Sequence, residues 1–222
     1  MSKLPSLLLL LLCACETPMT QPEPFQILDI TPSVQVANDA KSVTVRLDVE
    51  PRFHVDYGDQ EVRILEEPVL EIGSETLVPM ATYLGHGRFQ GQVAPGLPPG
   101  RYPIRVKLGD GREATLADAY EIKPAVGFWV EQIGDQKTGE PFTVVLHAGD
   151  PYGEFFEGTV QVSVYIGNTN ANLFSFVSGP FTAGVRAQEL TVDTPGNNYL
   201  IVVQDVLGNT ATSNAFRVFP KN

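Results

Sequence analysis

The sequence is poor in the residue types that build most active sites and metal centres. It has two cysteines, three histidines and one tryptophan in 222 residues. Basic residues are also in the minority, with 15 Lys and Arg against 26 Asp and Glu, for a net charge of −11. A chain with this charge repels the phosphate backbone, which argues against a partner among nucleic acids. No stretch reaches the roughly 20 apolar residues of a membrane-spanning helix, which argues against a polytopic membrane protein.

Sequence motifs for catalysis and cofactor binding are also missing. The chain has no G-x-S-x-G elbow, no P-loop and no dinucleotide fingerprint. His54, His86 and His147 are too far apart to form a local metal motif, and His86 is expected at a hairpin tip. We therefore expect no enzyme activity, no cofactor and no metal site. A hydrolase that uses two of the scattered carboxylates remains the alternative.

The N-terminus has the layout of a secretory signal. Lys3 supplies a positive charge, six consecutive leucines occupy positions 7–12, and small residues follow. This apolar run is too short to cross a bilayer, so it predicts export with removal of the leader.

The end of the leader, Leu12-Cys13-Ala14-Cys15, resembles the lipobox of bacterial lipoproteins. The resemblance implies a signal peptide at 1–14, a lipid-modified Cys15, and membrane attachment through that lipid. Cys13 departs from the small or aliphatic residue usual at its position. Glu16 stands where an aspartate would signal inner-membrane retention, which favours the outer membrane or the cell surface. The alternative is an ordinary secretion signal that is cut later.

A proline-rich stretch follows the lipobox. Residues 16–24 contain three prolines and almost nothing apolar, which predicts an extended spacer of about 28 Å at about 3.1 Å per residue. We assign residues 15–24 to a tether. Cleavage before Cys15 would leave a single, modified cysteine, so no disulfide is expected.

The remaining sequence alternates apolar and polar residues, which predicts strands buried on one face. Three segments show this pattern, and their apolar positions are Val43, Val45, Leu47 and Val49; Tyr102, Ile104, Val106 and Leu108; and Val160, Val162, Val164 and Ile166. Twenty glycines and 18 prolines punctuate these runs, and no sustained helical periodicity appears. The predicted fold class is all-β.

An internal repeat divides this part of the chain. Pro99-Gly100, Tyr102, Asp110-Gly111 and Tyr120 recur in order as Pro195-Gly196, Tyr199, Asp205 and Phe216. A division at 123–126 gives two halves close to the hundred residues of an immunoglobulin-like sandwich. We therefore predict two tandem immunoglobulin-like β-sandwich domains, at 25–123 and 124–222.

Each half resembles a known type of immunoglobulin-like domain. The first resembles the IPT/TIG type in Ile27-Leu28-Asp29-Ile30-Thr31-Pro32-Ser33, in Pro99-Gly100-Arg101-Tyr102, and from Gly109-Asp110-Gly111 to Ala119-Tyr120-Glu121-Ile122. The second is similar to the Ig-like repeats of bacterial surface proteins in Thr138-Gly139-Glu140-Pro141-Phe142, Ala148-Gly149-Asp150, Gly158-Thr159-Val160 and the Asp205 to Gly208 hairpin. The resemblance implies spacers, adhesive modules or appendages, and it transfers no active site.

One loop in the second half is a candidate ligand site. It contains carboxylates suited to calcium and aromatics suited to sugar stacking, at Asp150, Tyr152, Glu154, Phe155, Phe156 and Glu157. The competing and favoured interpretation is a turn whose aromatics cover the end of the core. Similarly, one of the neighbouring aromatics Phe128 and Trp129 is expected to face the core, in preference to Trp129 as an exposed sugar platform.

These observations predict a non-enzymatic, envelope-anchored lipoprotein. Its expected function is that of a protein-interaction, scaffold or spacer module with an envelope or surface protein as partner. The alternative is a carbohydrate-binding or calcium-dependent adhesive module with a glycan as partner.

Overall fold

The computed structural model describes residues 23–65, 67–74, 76–167 and 171–221. The predicted signal peptide, Cys15 and the tether up to residue 22 lie outside these ranges. The described part of the chain contains 20 strands and one 3-10 turn, Gly153–Phe155, and no α-helix. The predicted all-β class is therefore confirmed. None of its helical structure is long and apolar enough to cross a membrane.

The first half builds two sheets that face each other. One sheet has the order β1-β3-β9-β8, from β1 (Ile27–Thr31), β3 (Lys41–Leu47), β8 (Thr82–Gly85) and β9 (Arg88–Val93). The other has the order β2-β11-β10-β6-β7, from β2 (Val34–Val36), β6 (Val69–Ile72), β7 (Thr76–Pro79), β10 (Gly100–Lys107) and β11 (Glu113–Lys123). β2 pairs with β11 in parallel, and the other pairings are antiparallel.

Alternation places the apolar side chains of these strands between the two sheets. Val43, Val45 and Leu47 of β3 are buried, whereas Arg46 is exposed. From the opposite sheet, Ile104 and other side chains join them in one core cluster, which includes Leu70, Ile72, Val106, Tyr120 and Ile122. The first half is thus a sandwich with its own core.

A separate hairpin extends from the first sandwich. β4 (Phe53–Asp56) and β5 (Glu61–Ile64) pair only with each other in a two-stranded sheet. The Leu65 N–H donates to the Arg52 carbonyl at 2.9 Å and closes its root.

The second half repeats the architecture. Its smaller sheet has the order β12-β14-β17, from β12 (Phe128–Val130), β14 (Phe142–Ala148) and β17 (Val185–Leu190). Its larger sheet has the order β13-β20-β18-β15-β16, with β19 also paired to β18, from β13 (Gln136–Lys137), β15 (Gln161–Ile166), β16 (Ala171–Val177), β18 (Gly196–Gln204), β19 (Thr210–Thr212) and β20 (Phe216–Phe219). A second core lies between them, with Val144, Leu146, Val162, Ile201 and Val203 fully or nearly fully buried.

The internal repeat corresponds to equivalent structures in the two sandwiches. Tyr120 and Phe216 both lie in the cores, on β11 and β20. The Tyr102 hydroxyl donates to the Pro98 carbonyl at 2.7 Å, and the Tyr199 hydroxyl donates to the Thr194 carbonyl at 2.7 Å. In each case a tyrosine ties a central strand to the turn that precedes it.

Candidate functional site at the junction of the two sandwiches

The loop between β2 and β3 joins the two sandwiches. Val36, at the end of β2, has no exposed surface, and its side chain belongs to the core of the second sandwich although its strand pairs in the first. Gln35 supports this loop from within: its amide nitrogen donates to the Asp39 carbonyl at 2.5 Å, and its amide oxygen accepts from the Tyr120 hydroxyl at 2.7 Å. Residues of the first sandwich therefore hold this loop in the conformation in which it contacts the second sandwich.

Asn38 makes the first set of contacts across the junction. Its side-chain oxygen accepts from the Val126 N–H at 3.0 Å. Its side-chain nitrogen donates to the Val126 carbonyl at 2.9 Å and to Asp205 Oδ2 at 2.6 Å. Asn38 is 2% exposed, so all of these bonds are sheltered from water. Both the oxygen and the nitrogen of this side-chain amide are therefore hydrogen-bonded, which fixes the chain at the start of the second sandwich.

Lys41, on β3, makes the second set of contacts. Its ammonium donates to Glu157 Oε2 at 2.7 Å and to the Phe155 carbonyl at 3.1 Å, and it lies 3.4 Å from Asp39 Oδ2. The Lys41 side chain is 8% exposed and that of Asp39 is 0% exposed. The cation thus bridges two carboxylates, one from each sandwich.

Asp39 is the buried carboxylate of this group. Its Oδ2 accepts from the Glu157 N–H at 3.0 Å, while its Oδ1 has no hydrogen-bond partner among the described residues. Burial raises the pKa of the Asp39 carboxyl, and the Glu157 N–H and the Lys41 charge oppose this shift only in part. Burial also raises the pKa of the Tyr120 hydroxyl, and the nearby Asp39 charge adds to this rise.

Gly158 lets the two sandwiches approach closely. A Cβ at this position would lie 2.4 Å from Asp39 Oδ1. Only a residue without a side chain leaves room for the Asp39 carboxylate, so Gly158 is part of the junction.

The predicted ligand loop, residues 150–158, is one of the parts of the second sandwich that contact the first. Phe156 is fully buried in the second core, where its ring meets those of Phe128 and Phe181 edge to face. Phe155 and Tyr152 pack against the same core, and the Lys123 ammonium lies 5.3 Å from the centre of the Tyr152 ring. The favoured interpretation, that the aromatics cover the end of the core, agrees with these positions.

The carboxylates of the loop do not converge. Asp150 and Glu154 are exposed, whereas Glu157 pairs with Lys41. Among the described residues, no group of three His, Cys, Asp or Glu side chains is placed to hold a metal ion. A ligand role for this loop remains a prediction.

Trp129 forms a separate feature on the smaller sheet of the second sandwich. Phe128 is the aromatic that faces the core, and Trp129 is 49% exposed. Its indole stacks on the His147 ring at 3.8 Å between centroids and 3° between planes. His147 Nε2 lies 2.7 Å from Glu131 Oε1, which holds the imidazole in position. Because β12 is an edge strand, the stack lies at a sheet margin.

Sequence reasoning missed the residues that hold the junction from the first sandwich. Asn38 and Asp39 lie in the turn between β2 and β3, and Lys41 is the first residue of β3. A short stretch of this composition is typical of a solvated turn. The one junction residue that the repeat identifies is Asp205, which occupies the hairpin position of Asp110. Both carboxylates accept from N–H groups in their own turns, but Asp205 also accepts from Asn38.

The junction is suited to holding two bodies in a fixed relation. The Lys41 ammonium is already engaged by oxygens of Glu157 and Phe155, so it is not available to a substrate. The side-chain amide, ammonium and carboxylate groups of the junction bond to other residues of the same chain. Such contacts are typical of a structural interface between domains.

Comparisons with known proteins add no family. No family model matches the sequence, and no curated protein matches it. Solved structures show weak similarity, among them the following three. A superoxide reductase (neelaredoxin) from Ignicoccus hospitalis is 14% identical with a TM-score of 0.30, over 41% of this chain and 79% of that one. A protein described as membrane anchored, from Corynebacterium diphtheriae, is 10% identical with a TM-score of 0.34, over 89% and 53% of the two chains.

The third is an alpha-2-macroglobulin from Salmonella, 8% identical with a TM-score of 0.32 over 90% of this chain and 15% of that one. This chain therefore spans about half of the Corynebacterium protein and a small part of the Salmonella protein. Similarity at this level carries no information about ligands, activity or location.

Proposed function

We propose that this protein is a non-enzymatic lipoprotein of the bacterial envelope that acts as a rigid interaction scaffold or spacer. The observation that carries the proposal is the buried junction, in which Asn38 and Lys41 of the first sandwich bond to Val126, Asp205 and Glu157 of the second. A spacer must keep its far end at a defined position, and a flexible linker between two sandwiches would not do so. Buried polar contacts such as the hydrogen bonds of the Asn38 side chain oppose bending.

The position of the N-terminal segment agrees with a spacer. β1 and β3 are antiparallel, with Ile27 opposite Leu47 and Thr31 opposite Thr44. Lys41, at the other end of β3, lies at the junction. The chain therefore enters the first sandwich at the end that faces away from the second. A lipid on Cys15 would place the first sandwich next to the membrane and the second one farther out.

Anchoring is tested by the mass of the mature N-terminus after production of the full chain in a bacterial expression host. We expect a chain that begins at Cys15 and carries acyl groups, and the same product from the control variant Cys13→Ser. The Cys15→Ser variant should lack the lipid. An unmodified wild-type chain, or one cut later, would contradict the proposed anchor.

The interaction role is tested by photo-crosslinking in the natural host. A photoreactive residue is placed, one position at a time, at the exposed apolar sites Leu77, Val177 and Val206. A scaffold should give a discrete adduct with an envelope protein at one of these sites. No adduct at any of them would favour a spacer without a stable partner.

A second candidate function is glycan binding at Trp129. The observation that favours it is the half-exposed indole fixed by His147, because exposed aromatic faces stack on sugar rings. Calorimetry with oligosaccharides should then show heat that Trp129→Ala removes and that Tyr57→Ala, at another exposed aromatic, leaves unchanged. Absence of heat with glycans, and with calcium for the loop at 150–158, would remove the adhesive alternative.

A further inference from the structure

The hairpin formed by β4 and β5 has an apolar face that, near its tip, has no packing partner among the described residues. The register pairs Phe53 with Ile64 and Val55 with Val62. Because side chains alternate along strands, these four residues share one face. His54 and Asp56 lie on the other face.

Only the root of this apolar face is covered by the first sandwich. The Phe53 ring contacts the Tyr83 ring edge to face at 5.5 Å between centroids, and Ile64 packs against the core. Exposure is greater near the tip, where Val62 is 61% exposed and Tyr57 is 88% exposed. An isolated two-stranded hairpin is marginally stable in water, so an apolar face that projects beyond its support indicates a surface that is covered by something else.

The hairpin lies at the end of the molecule where the tether arrives. Arg112 connects the two features. Its guanidinium donates to the Glu23 carbonyl at 3.0 Å and lies 5.8 Å from the Phe25 ring centre. Arg112 also shares a cleft with Pro51 and Arg52 at the hairpin root. The first described residue of the chain and the hairpin root are therefore neighbours.

The length of the preceding segment limits what the hairpin can reach. Glu23 lies eight residue steps after Cys15, and a chain spans at most about 3.6 Å per step, or about 29 Å in total. With Cys15 anchored in lipid, Glu23 and the hairpin root stay within that distance of the bilayer. The second sandwich, beyond the far end of β3, is held away from it.

We infer that the exposed apolar side chains near the tip of the 53–64 hairpin, Val62 and Tyr57, rest in the interface of the lipid bilayer to which Cys15 is anchored. This inference rests on the proposed function, since it uses the lipid on Cys15. Tyr57 is suited to this place, because tyrosine is enriched where an apolar body meets a wet surface. A short tether raises the effective concentration of the hairpin at the surface to the millimolar range, so a small apolar patch is sufficient. Asp56 and Asp59 near the tip favour zwitterionic over anionic headgroups.

The experiment uses the chain from residue 15 to 222, in which Cys15 is the only cysteine. Cys15 is coupled to a maleimide-bearing lipid in phosphatidylcholine vesicles, which replaces the natural lipid. Trp129, the only tryptophan, is changed to Phe, and a reporter is introduced by Tyr57→Trp. The matched control carries Val177→Trp, at a site 63% exposed in the second sandwich.

On the vesicles, emission from position 57 should shift to the blue and lose intensity when the lipids carry brominated chains. Emission from position 177 should change in neither respect. The added substitution Val62→Asp, at an exposed site, should abolish both effects at position 57 without unfolding the chain, and circular dichroism checks the fold. Protein with Cys15 blocked by N-ethylmaleimide should show a smaller effect at the same lipid concentration.

An emission spectrum at position 57 that is the same on vesicles as in solution would overturn the inference, and so would equal quenching at positions 57 and 177. Failure of the proposed function is seen separately, as an unmodified Cys15 in the mass spectrum. The vesicle experiment does not depend on that result, because its lipid is attached chemically.

Discussion

Lys41 is the residue on which the contacts between the sandwiches converge. Its ammonium is shared by Asp39 from its own sandwich and by Glu157 and the Phe155 carbonyl from the other. A buried carboxylate without its cation is costly, because water does not replace the lost partner. The cost of removing Lys41 therefore distinguishes a buried structural joint from a surface ion pair.

We expect Lys41→Met to lower the free energy of unfolding by about 3 kcal/mol, because Asp39 keeps a buried charge without a cation. The matched control is Arg46→Met on the same strand, whose pair with Asp29 is about half exposed and should contribute less than about 1 kcal/mol. Urea unfolding measures both. Equal losses in the two variants would show that the junction adds no more than a surface pair.

The pH dependence of stability should carry the signature of Asp39. Burial holds the pKa of this carboxyl above 3.8 in the folded state, so the folded chain binds the proton more tightly than the unfolded chain. The contribution of such a group is favourable at low pH and is lost as the pH rises through the folded pKa. Relative to Asp39→Asn, the wild-type protein should gain stability as the pH falls from neutrality towards 3.8. A constant difference across urea titrations at several pH values would contradict the raised pKa.

At the level of strands, alternation was sufficient to predict the all-β class but not the contacts between sheets. β3 and β15 lie where Val43 to Leu47 and Val162 to Ile166 alternate with polar residues. Val49 falls outside β3, because the strand ends at Leu47. There the Leu47 N–H donates to the Gly87 carbonyl. None of the three alternating segments named from the sequence covers residues 53–64, where the chain forms the β4–β5 hairpin outside the sandwich. Alternation predicts which face of a strand is buried, but it does not predict which loop contacts another sandwich.

The repeated tyrosines should contribute unequally to stability. Tyr199 is fully buried and Tyr102 is partly exposed, although both hydroxyls donate to a carbonyl in the preceding turn. Tyr199→Phe should cost about 1 kcal/mol or slightly more, since the Thr194 carbonyl loses a sheltered donor. Tyr102→Phe should cost less, because water replaces the hydroxyl. Thermal or urea unfolding of the two variants checks the order, and the reverse order would contradict it.

The β4–β5 hairpin should be dispensable for folding. Its strands pair only with each other, and the Arg52 carbonyl and Leu65 N–H already meet at its root. Replacing residues 53–64 by an Asn-Gly turn should leave the far-ultraviolet circular dichroism spectrum sheet-like and cost no more than about 2 kcal/mol, mainly from the contacts of Phe53 and Ile64. An unfolded product would show that the hairpin is part of the first core.

At the scale of the whole molecule, the order of parts is simple. Residue 23 and the hairpin lie at one end of the first sandwich, and the second sandwich lies beyond the other end, joined through residues 36–41. The internal repeat predicted two similar halves, but their joint depends on Asn38, Lys41 and Glu157, which are not part of the repeat. Of these, only Glu157 was named from the sequence, as a member of the candidate ligand loop. Such contacts are set by how two surfaces meet, which single-chain periodicity does not encode.

The rigidity of this joint is tested most directly by the distance between a spin label in each sandwich. The chain from residue 16 onward has no cysteine, so Leu77→Cys and Val177→Cys, both at sites 63% exposed, give one label in each sandwich. Electron–electron double resonance should show a single narrow distance distribution, and Lys41→Met combined with Asn38→Ala should broaden it. A broad distribution in the protein with an intact junction would contradict the account of a rigid two-sandwich scaffold.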